Sequence, residues 1–263
     1  MNHEQNFSIR KMSLHELKSI AIEWAAIEGW NPGIYDAESI YETDPNGFFV
    51  GLINNQPIAC ISAVAYDNKF GFIGFYIVKA EYRGKGYGMK IWNHAIKYLQ
   101  DLNIGLDGVV EQQDNYKKSG FKLAYRNIRY EGKSIITNDN YPNILPISHF
   151  PLNDIVNYDN KLFPTTRQKF IENWLYQPES FAVASKIYNQ MTGYGVIRKC
   201  RIGYKIGPLF ADNQEIANQI YISLNNLIKV NSIIYLDTPE LNQQAIQLSE
   251  NYHMKQVFST ARM

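Results

Sequence analysis

Hydrophobic and polar positions follow two periods along this chain, and the places where the period changes mark its elements. Residues Phe7 to Met12 alternate as a strand does, and Leu14, Leu17, Ile20, Ala21, Trp24, Ala25 and Ile27 then recur at helical spacing up to Trp30. Asn31-Pro32-Gly33 stops that helix, and a shorter helical pattern from Asp36 to Glu42 runs into the turn formers Asp44-Pro45-Asn46-Gly47. Three runs rich in β-branched and aromatic residues follow, at Phe48 to Ile53, Pro57 to Tyr66 and Phe70 to Val78. The joints Asn54-Asn55 and Asp67-Asn68 suit tight hairpins, so an antiparallel meander is expected. Ile91, Trp92, Ala95, Ile96 and Leu99 share one face of a helix expected over Met89 to Leu102. A strand at Leu106 to Val110, a short helix at Asp114 to Ser119 closed by Gly120, and a strand at Phe121 to Tyr130 complete one α/β domain.

From Glu131 to Ile147 the chain turns polar, with Asn138, Asp139, Asn140, Pro142, Asn143 and Pro146, as a segment between domains does. The expected division is therefore residues 1–138 and 139–263. Helical patterns at Asp154 to Asn160 and Arg167 to Tyr176 precede strands at Ser180 to Ile187, Gly193 to Lys199 and Arg201 to Phe210. A helix at Gln214 to Lys229, a strand at Ser232 to Asp237, a helix at Asn242 to Asn251 and a strand at Met254 to Thr260 end the chain. This order repeats the first half at an offset of about 130 residues, with Leu106-Asp107 over Leu236-Asp237 and Lys117 to Phe121 near Glu250 to Met254. Residue identity between the halves is low, so the repeat rests on element order.

Composition narrows the function classes. With 26 Lys+Arg against 25 Asp+Glu and no basic stripe, nothing favours a polyanionic partner, and no nucleic acid is expected. Two cysteines, Cys60 and Cys200, exclude a disulfide framework and a four-cysteine metal site, and both read as buried thiols of a reducing compartment. The opening MNHEQNFSIRKMS lacks an apolar run of signal-peptide length, and no later stretch approaches a membrane span, so a soluble cytoplasmic chain is expected. The histidines, His3, His15, His94, His149 and His253, show no metal spacing, and His15-Glu16 fails H-E-x-x-H because residue 19 is Ser. No metal is expected.

The candidate chemistry lies between the third strand of the meander and the next helix. Gly84, Gly86 and Gly88 alternate there, where small residues let backbone N–H groups approach an anion at a helix N-terminus. G-x-G-x-x-G fails because residue 89 is Met, and the nucleoside-triphosphate loop G-x-x-x-x-G-K-[ST] is absent. A turn that merely packs helix on strand is the alternative reading of the glycines alone. The wider pattern resembles the GNAT superfamily of N-acyltransferases, whose pyrophosphate loop is [RQ]-x-x-G-x-[GA]; Arg83, Gly86 and Gly88 match it. Asn115-Tyr116-Lys117-Lys118-Ser119-Gly120-Phe121 is similar to that family's later N/L-Y-x-x-x-G-F segment. Glu28-Gly29-Trp30-Asn31-Pro32-Gly33 and the ending Phe258 to Met263 resemble a subgroup in which a second, degenerate GNAT-like domain follows the first.

The resemblance implies two tandem GNAT-like α/β (α+β) domains, each with a mixed, mostly antiparallel sheet flanked by helices. It implies an N-acetyltransferase that carries an acetyl group from acetyl-CoA to a primary amine by direct attack in a ternary complex. Backbone groups of Tyr76, Ile77 and Val78 would hold the pantetheine and thioester carbonyl, with pyrophosphate on Arg83, Gly84, Lys85, Gly86, Tyr87, Gly88 and Met89. An amine near pKa 10 is mostly protonated at neutral pH, so a base or a water chain must take its proton. Glu111 and Asp107 are both candidates, Glu111 preferred for its place at the mouth of the strand. Tyr116 would protonate the departing thiolate, or else only packs beneath the loop. Trp30, Asn31 and Asp36 fall where the family lines its acceptor cleft, although a helix stop and surface turn explain them as well. Where many members carry Asn seven residues before the Tyr, this chain has Val109, and its connecting loop is shorter.

In the second half, Tyr204 to Asp212 stands at the phosphate-loop position without the glycines, so this domain is expected to wall the cleft or bind the acceptor. The expected partner is a small-molecule or peptide amine, with no membrane, and the chain is expected to act as a monomer. A non-catalytic acyl-CoA-binding sensor is the alternative of a different class, and a longer-chain acyltransferase is a third.

Overall fold

The computed structural model describes residues 6–263, so His3 and the start of the N-terminal stretch lie outside the described residues. The chain divides into two units, one of residues 1–32 and 36–106, the other of 33–35 and 107–263. In the first, the strand order is β1 (Phe7–Lys11), β2 (Phe48–Ile53), β3 (Gln56–Tyr66), β4 (Phe70–Val78) and β5 (Asn103–Val109). The first four are antiparallel, whereas β4 and β5 run parallel. Both predicted hairpins form because their joints take left-handed backbone, Asn54 and Asn55 at φ 48° and 63°, Asp67 and Asn68 at 48° and 50°. Asparagine and aspartate tolerate that region better than other side chains.

The first helix is less regular than its pattern. α1 (Leu14–Glu16) starts from a capping box between Ser13 and Glu16, a π-helical stretch covers Leu17–Ile22, and α2 (Glu23–Ile27) finishes it. Leu17, Ile20, Ala21, Ile22 and Ala25 pack with Phe48, Val50, Leu52 and Cys60 in one core cluster, joined by Ala37 of α3 (Asp36–Thr43). Successive strand residues face opposite ways. Phe49, between Phe48 and Val50, therefore meets the other side, where its ring sits edge-on to His94 and Tyr98 of α4 (Tyr87–Tyr98).

The second unit carries the last three residues of β5, then β12 (Lys255–Arg262), β6 (Tyr125–Lys133), β11 (Ile233–Pro239), β10 (Tyr204–Ala211), β9 (Gln190–Lys199), β8 (Ser180–Ile187) and β7 (Ile144–Pro146). Its helices are α5 (Gln113–Lys118), α6 (Leu152–Asp159), α7 (Gln168–Leu175), α8 (Gln214–Asn225) and α9 (Gln243–Asn251). Ile216, Ile220, Tyr221 and Leu224 of α8 pack on Ile197, Ile206, Ile234 and Leu236 of the sheet. Gly33 bridges Cys200, and Ile34 N–H donates to Lys199 O at 3.0 Å.

Several expectations need correction. β7 lies within the segment read as a polar crossing, because three residues of that segment pair with β8. β10 begins at Tyr204, not Arg201, since Gly203 at φ 62° makes a turn closed by Cys200 N–H on Gly203 O at 3.0 Å. β6 begins at Tyr125, after Gly120 at φ 91°, and its neighbours are not those expected of a strand that completes the first α/β repeat. It pairs with β11 and β12, while β12 pairs with the end of β5. The last strand of each repeat thus lies beside the LD-bearing strand of the other.

Candidate functional site

The glycine turn joins β4 to α4. Gly84 and Gly86 sit at φ 74° and 82°, and a Cβ at either would meet no atom within 4 Å, so both are glycines for backbone reasons and face open space. Gly88 differs, because its Cβ would come within 2.7 Å of the Tyr76 hydroxyl and 3.3 Å of Val78 Cγ2; here the small residue lets α4 close on β4. Gly86 is the N-cap of α4 and offers no side chain to the first turn. The first intrahelical bond runs from Lys90 N to Gly86 O, so the amides of Gly88 and Met89 precede the intrahelical ladder. With the helix dipole behind it, the first turn of α4 suits an anion, which makes the glycine turn a candidate anion cradle.

β4 reaches this turn through an irregularity. Cys60 faces Ile77 and Ser62 faces Gly74, so Phe75 and Tyr76 are accommodated opposite one residue of β3, with Phe75 at φ 46°. The parallel ladder with β5 covers Phe70 to Ile73, while β4 continues to Val78. Lys79 N–H donates to Ile58 O at 2.9 Å on the β3 side, so by strand alternation Val78 turns its N–H to the opposite edge. On that edge Arg83 Nε donates to Val78 O at 2.7 Å, and the same guanidinium reaches Glu28 Oε1 at 2.5 Å. Burial raises the Tyr76 phenol, and Lys85 Nζ donates to Glu81 O at 2.8 Å.

Tyr116 lies in α5 with its ring against Gly108, where a Cβ would come within 2.2 Å of Tyr116 Cε2. The residue is 8% exposed, so its packing role is real, and Gly108 is the strand residue that makes room for it. Ser119 and Phe121 donate their N–H groups to Tyr116 O at 3.0 and 3.2 Å. Glu111 sits exposed in a 3-10 turn beyond the end of β5. Asp107 holds Arg262 through two bonds of 2.6 and 2.7 Å and accepts from Asn127 Nδ2 at 3.0 Å. Desolvation works against the Arg262 cation, yet the hydrogen bonds with Asp107 leave it above its usual value. Of the two candidate bases, Glu111 has the open position. Asn31 is left-handed at φ 50°, Trp30 is half-buried against the first core cluster, and Asp36 is buried in the first turn of α3. Only strand register brings Arg262 and Asn127 beside Asp107, so sequence spacing does not point to either.

The corresponding place in the second half is built differently. α8 starts from Asn213, whose side chain accepts from Ile216 N at 2.9 Å and so occupies the first turn. Asp212, one residue earlier, accepts from the Tyr158 hydroxyl at 2.8 Å and puts a carboxyl group where a phosphate would need none. Where Phe121 N–H meets Tyr116 O, the second half has Met254 N–H on Ser249 O at 3.0 Å. Tyr116 thus has a buried serine as its counterpart.

Residues 14–121 match the family model described as acetyltransferase (GNAT) family, and residues 155–263 match one described as acetyltransferase (GNAT) domain. A holothin acyltransferase of Pseudoalteromonas sp. (strain SANK 73390) is 28% identical over 263 residues, 100% of this chain and 89% of that protein. The crystal structure of a putative acetyltransferase from Pyrococcus horikoshii superposes with a TM-score of 0.81 at 23% identity, covering 100% of this chain and 92% of that one. A tandem GNAT protein from the clavulanic acid biosynthesis pathway has the same fold, with a TM-score of 0.67 at 9% identity, covering 98% of this chain and 97% of that one. Among the described residues no group of three or more His, Cys, Asp or Glu could hold a metal, and no helix is long and apolar enough to cross a membrane.

Proposed function

The chain belongs to the GNAT superfamily, with one such domain in each half and acyl transfer as its chemistry, and from that premise we propose that it is an N-acetyltransferase using acetyl-CoA in its first half. The observation that carries this reading is the open N-terminus of α4, with Gly84 and Gly86 left-handed and no side-chain cap. The amides of Tyr87, Gly88 and Met89, with Lys85 beside them, suit a pyrophosphate, and Val78 N–H suits the thioester oxygen. A fixed backbone donor at a developing oxyanion is worth roughly 3 to 4 kcal/mol.

The proposed acceptor is a primary amine on a small molecule or peptide, met by Trp30, Asn31 and Asp36. Glu111 or a water it orients takes the amine proton as the C–N bond forms, and Tyr116 gives its proton to the sulfur as the C–S bond breaks, regaining one from solvent. Direct transfer is favoured over a covalent acyl-enzyme because Cys60 is fully buried and burial pushes its thiol far up, away from the nucleophilic thiolate. Asp107, committed to Arg262, serves the frame of the sheet. The proposed working form is a cytoplasmic monomer without nucleic acid, with residues 1–138 as the acetyl-CoA domain and 139–263 as the degenerate one.

Calorimetric titration with acetyl-CoA and CoA tests this on the wild type and on Gly86→Asp. One site per chain, lost in the variant, is the expected result; two sites restore the second half as a donor binder, and none refutes the acetyl-CoA assignment. Thiol release over an amine panel, with holothin included because of the Pseudoalteromonas relative, then identifies the acceptor. Binding without release under every amine would favour a sensor. Faster release from longer acyl-CoA chains would move the donor assignment.

A further inference from the structure

Glu28 stands where local physics disfavours an acid. It follows α2 directly as its C-cap, at the negative end of the helix, and the last turn of α2 holds no basic residue. The backbone bolts it in place, with Glu28 N–H on Trp24 O, Gly29 N–H on Ala26 O and Trp30 N–H on Ala25 O at 2.9, 3.0 and 2.9 Å. Its carboxylate is answered from 55 residues away by Arg83 at 2.5 Å. That arginine also closes the end of β4 through Val78 O at 2.7 Å and begins the glycine turn. One guanidinium therefore joins the end of a strand, the anion cradle and the helix end from which Trp30 and Asn31 emerge. A side chain that breaks a local rule and is compensated only by a long-range partner marks a functional constraint.

We propose that Glu28 is a positioning residue that, by holding Arg83 across the end of β4, couples the glycine turn and the Val78 edge to the Trp30–Pro32 segment. Filling the cradle then steadies the acceptor side, and the reverse. The functional half of this inference rests on the assignment of the turn to the acyl donor and of Trp30 and Asn31 to the acceptor. The coupling itself needs neither.

Hydrogen exchange on the full chain without ligand separates the two, using the wild type, Glu28→Gln, Arg83→Gln and the double variant. An exposed ion pair of this kind predicts exchange about fivefold faster in Glu28→Gln, in residues 29–32 and 84–89 together. In the Arg83→Gln background the Glu28 change should add nothing. Additive effects, or a change confined to residues 29–32, overturn the proposal. Glu28→Asp keeps the charge one methylene short and should fall between, which guards against a variant that loses its fold. With acetyl-CoA as the probe, binding to the wild type should slow exchange in residues 29–32 as well as 84–89, and in Glu28→Gln only in 84–89, a split that general destabilisation does not produce. If the wild type fails to bind acetyl-CoA, the donor assignment falls while the exchange experiment still decides the coupling.

Discussion

The turns before α4 and α8 occupy the same place in a repeated order of elements, and they differ in one physical respect. Before α4 the backbone is bent by two left-handed glycines and no side chain caps the first turn; before α8 the side chain of Asn213 fills the position and Asp212 adds a carboxyl group. A second contrast goes with it, Tyr116 against Gly108 in the first half and Ser249 in the second, with its hydroxyl turned back on Ala245 O at 3.3 Å. The sheet frame shows no such divergence. Asp107 pairs with Arg262 and Asp237 with Arg129, each a cross-strand partner and each through two bonds of 2.6 to 2.8 Å. Desolvation works to raise the Asp237 carboxyl, and the Arg129 hydrogen bonds overcome it and hold the group below its usual value. The second half thus lacks the left-handed glycines and the phenol of the first, while both halves hold a cross-strand Asp–Arg pair.

The largest test of this contrast is Tyr116→Phe against Ser249→Ala. Loss of a proton donor predicts a fall in kcat of about a hundredfold or more for Tyr116→Phe at unchanged acetyl-CoA affinity. Ser249→Ala should leave kcat as it is, and equal losses in steady-state assays would break the comparison. Gly86→Asp comes next, with a carboxylate at the helix N-terminus in front of the phosphates; acetyl-CoA affinity should drop by at least about tenfold in a titration.

The frame common to both halves makes a third prediction. Arg129→Ala and Arg262→Ala should each lower stability by about 1 kcal/mol in denaturant unfolding, since each leaves a partly solvated carboxylate unpaired on a central strand. A loss in only one would show that the two pairs do unequal work. Lys205 in the second half supplies a further effect. Burial, then Arg129 and Arg198, lower its amine to about 8 from 10.5. Above pH 8 the unfolded chain binds the proton that the folded one has lost, so stability should rise with pH, by about 1 kcal/mol between pH 8 and 9. Buried tyrosines such as Tyr235, pushed up to about 12 by burial and by Glu131, oppose the gain above pH 10. Thermal midpoints of Lys205→Met should lack the rise. The smallest effect is Asn213→Gly, which opens α8 at a cost of a few tenths of a kcal/mol. It should still leave one acetyl-CoA site per chain, because Asp212 remains.

Short-range physics was legible in the chain. The two hairpins followed from Asn54-Asn55 and Asp67-Asn68, the glycine turn from Gly84 and Gly86, and the repeat from the order of periods, because each depends on neighbours a few residues apart. Where a strand goes after it forms is another matter. That β6 would leave the order of its own repeat for β11 and β12, that Arg262 would reach Asp107 across 155 residues, and that Glu28 would find Arg83 could not be read from spacing. Periodicity determines which face of a strand is apolar, but pairing partners depend on edges and registers that exist only after the chain has closed on itself. The sequence by itself determined the elements, their repetition and the glycine turn before α4; the tertiary structure decided which carboxylates are tied into the frame of the sheet, because that depends on strand register.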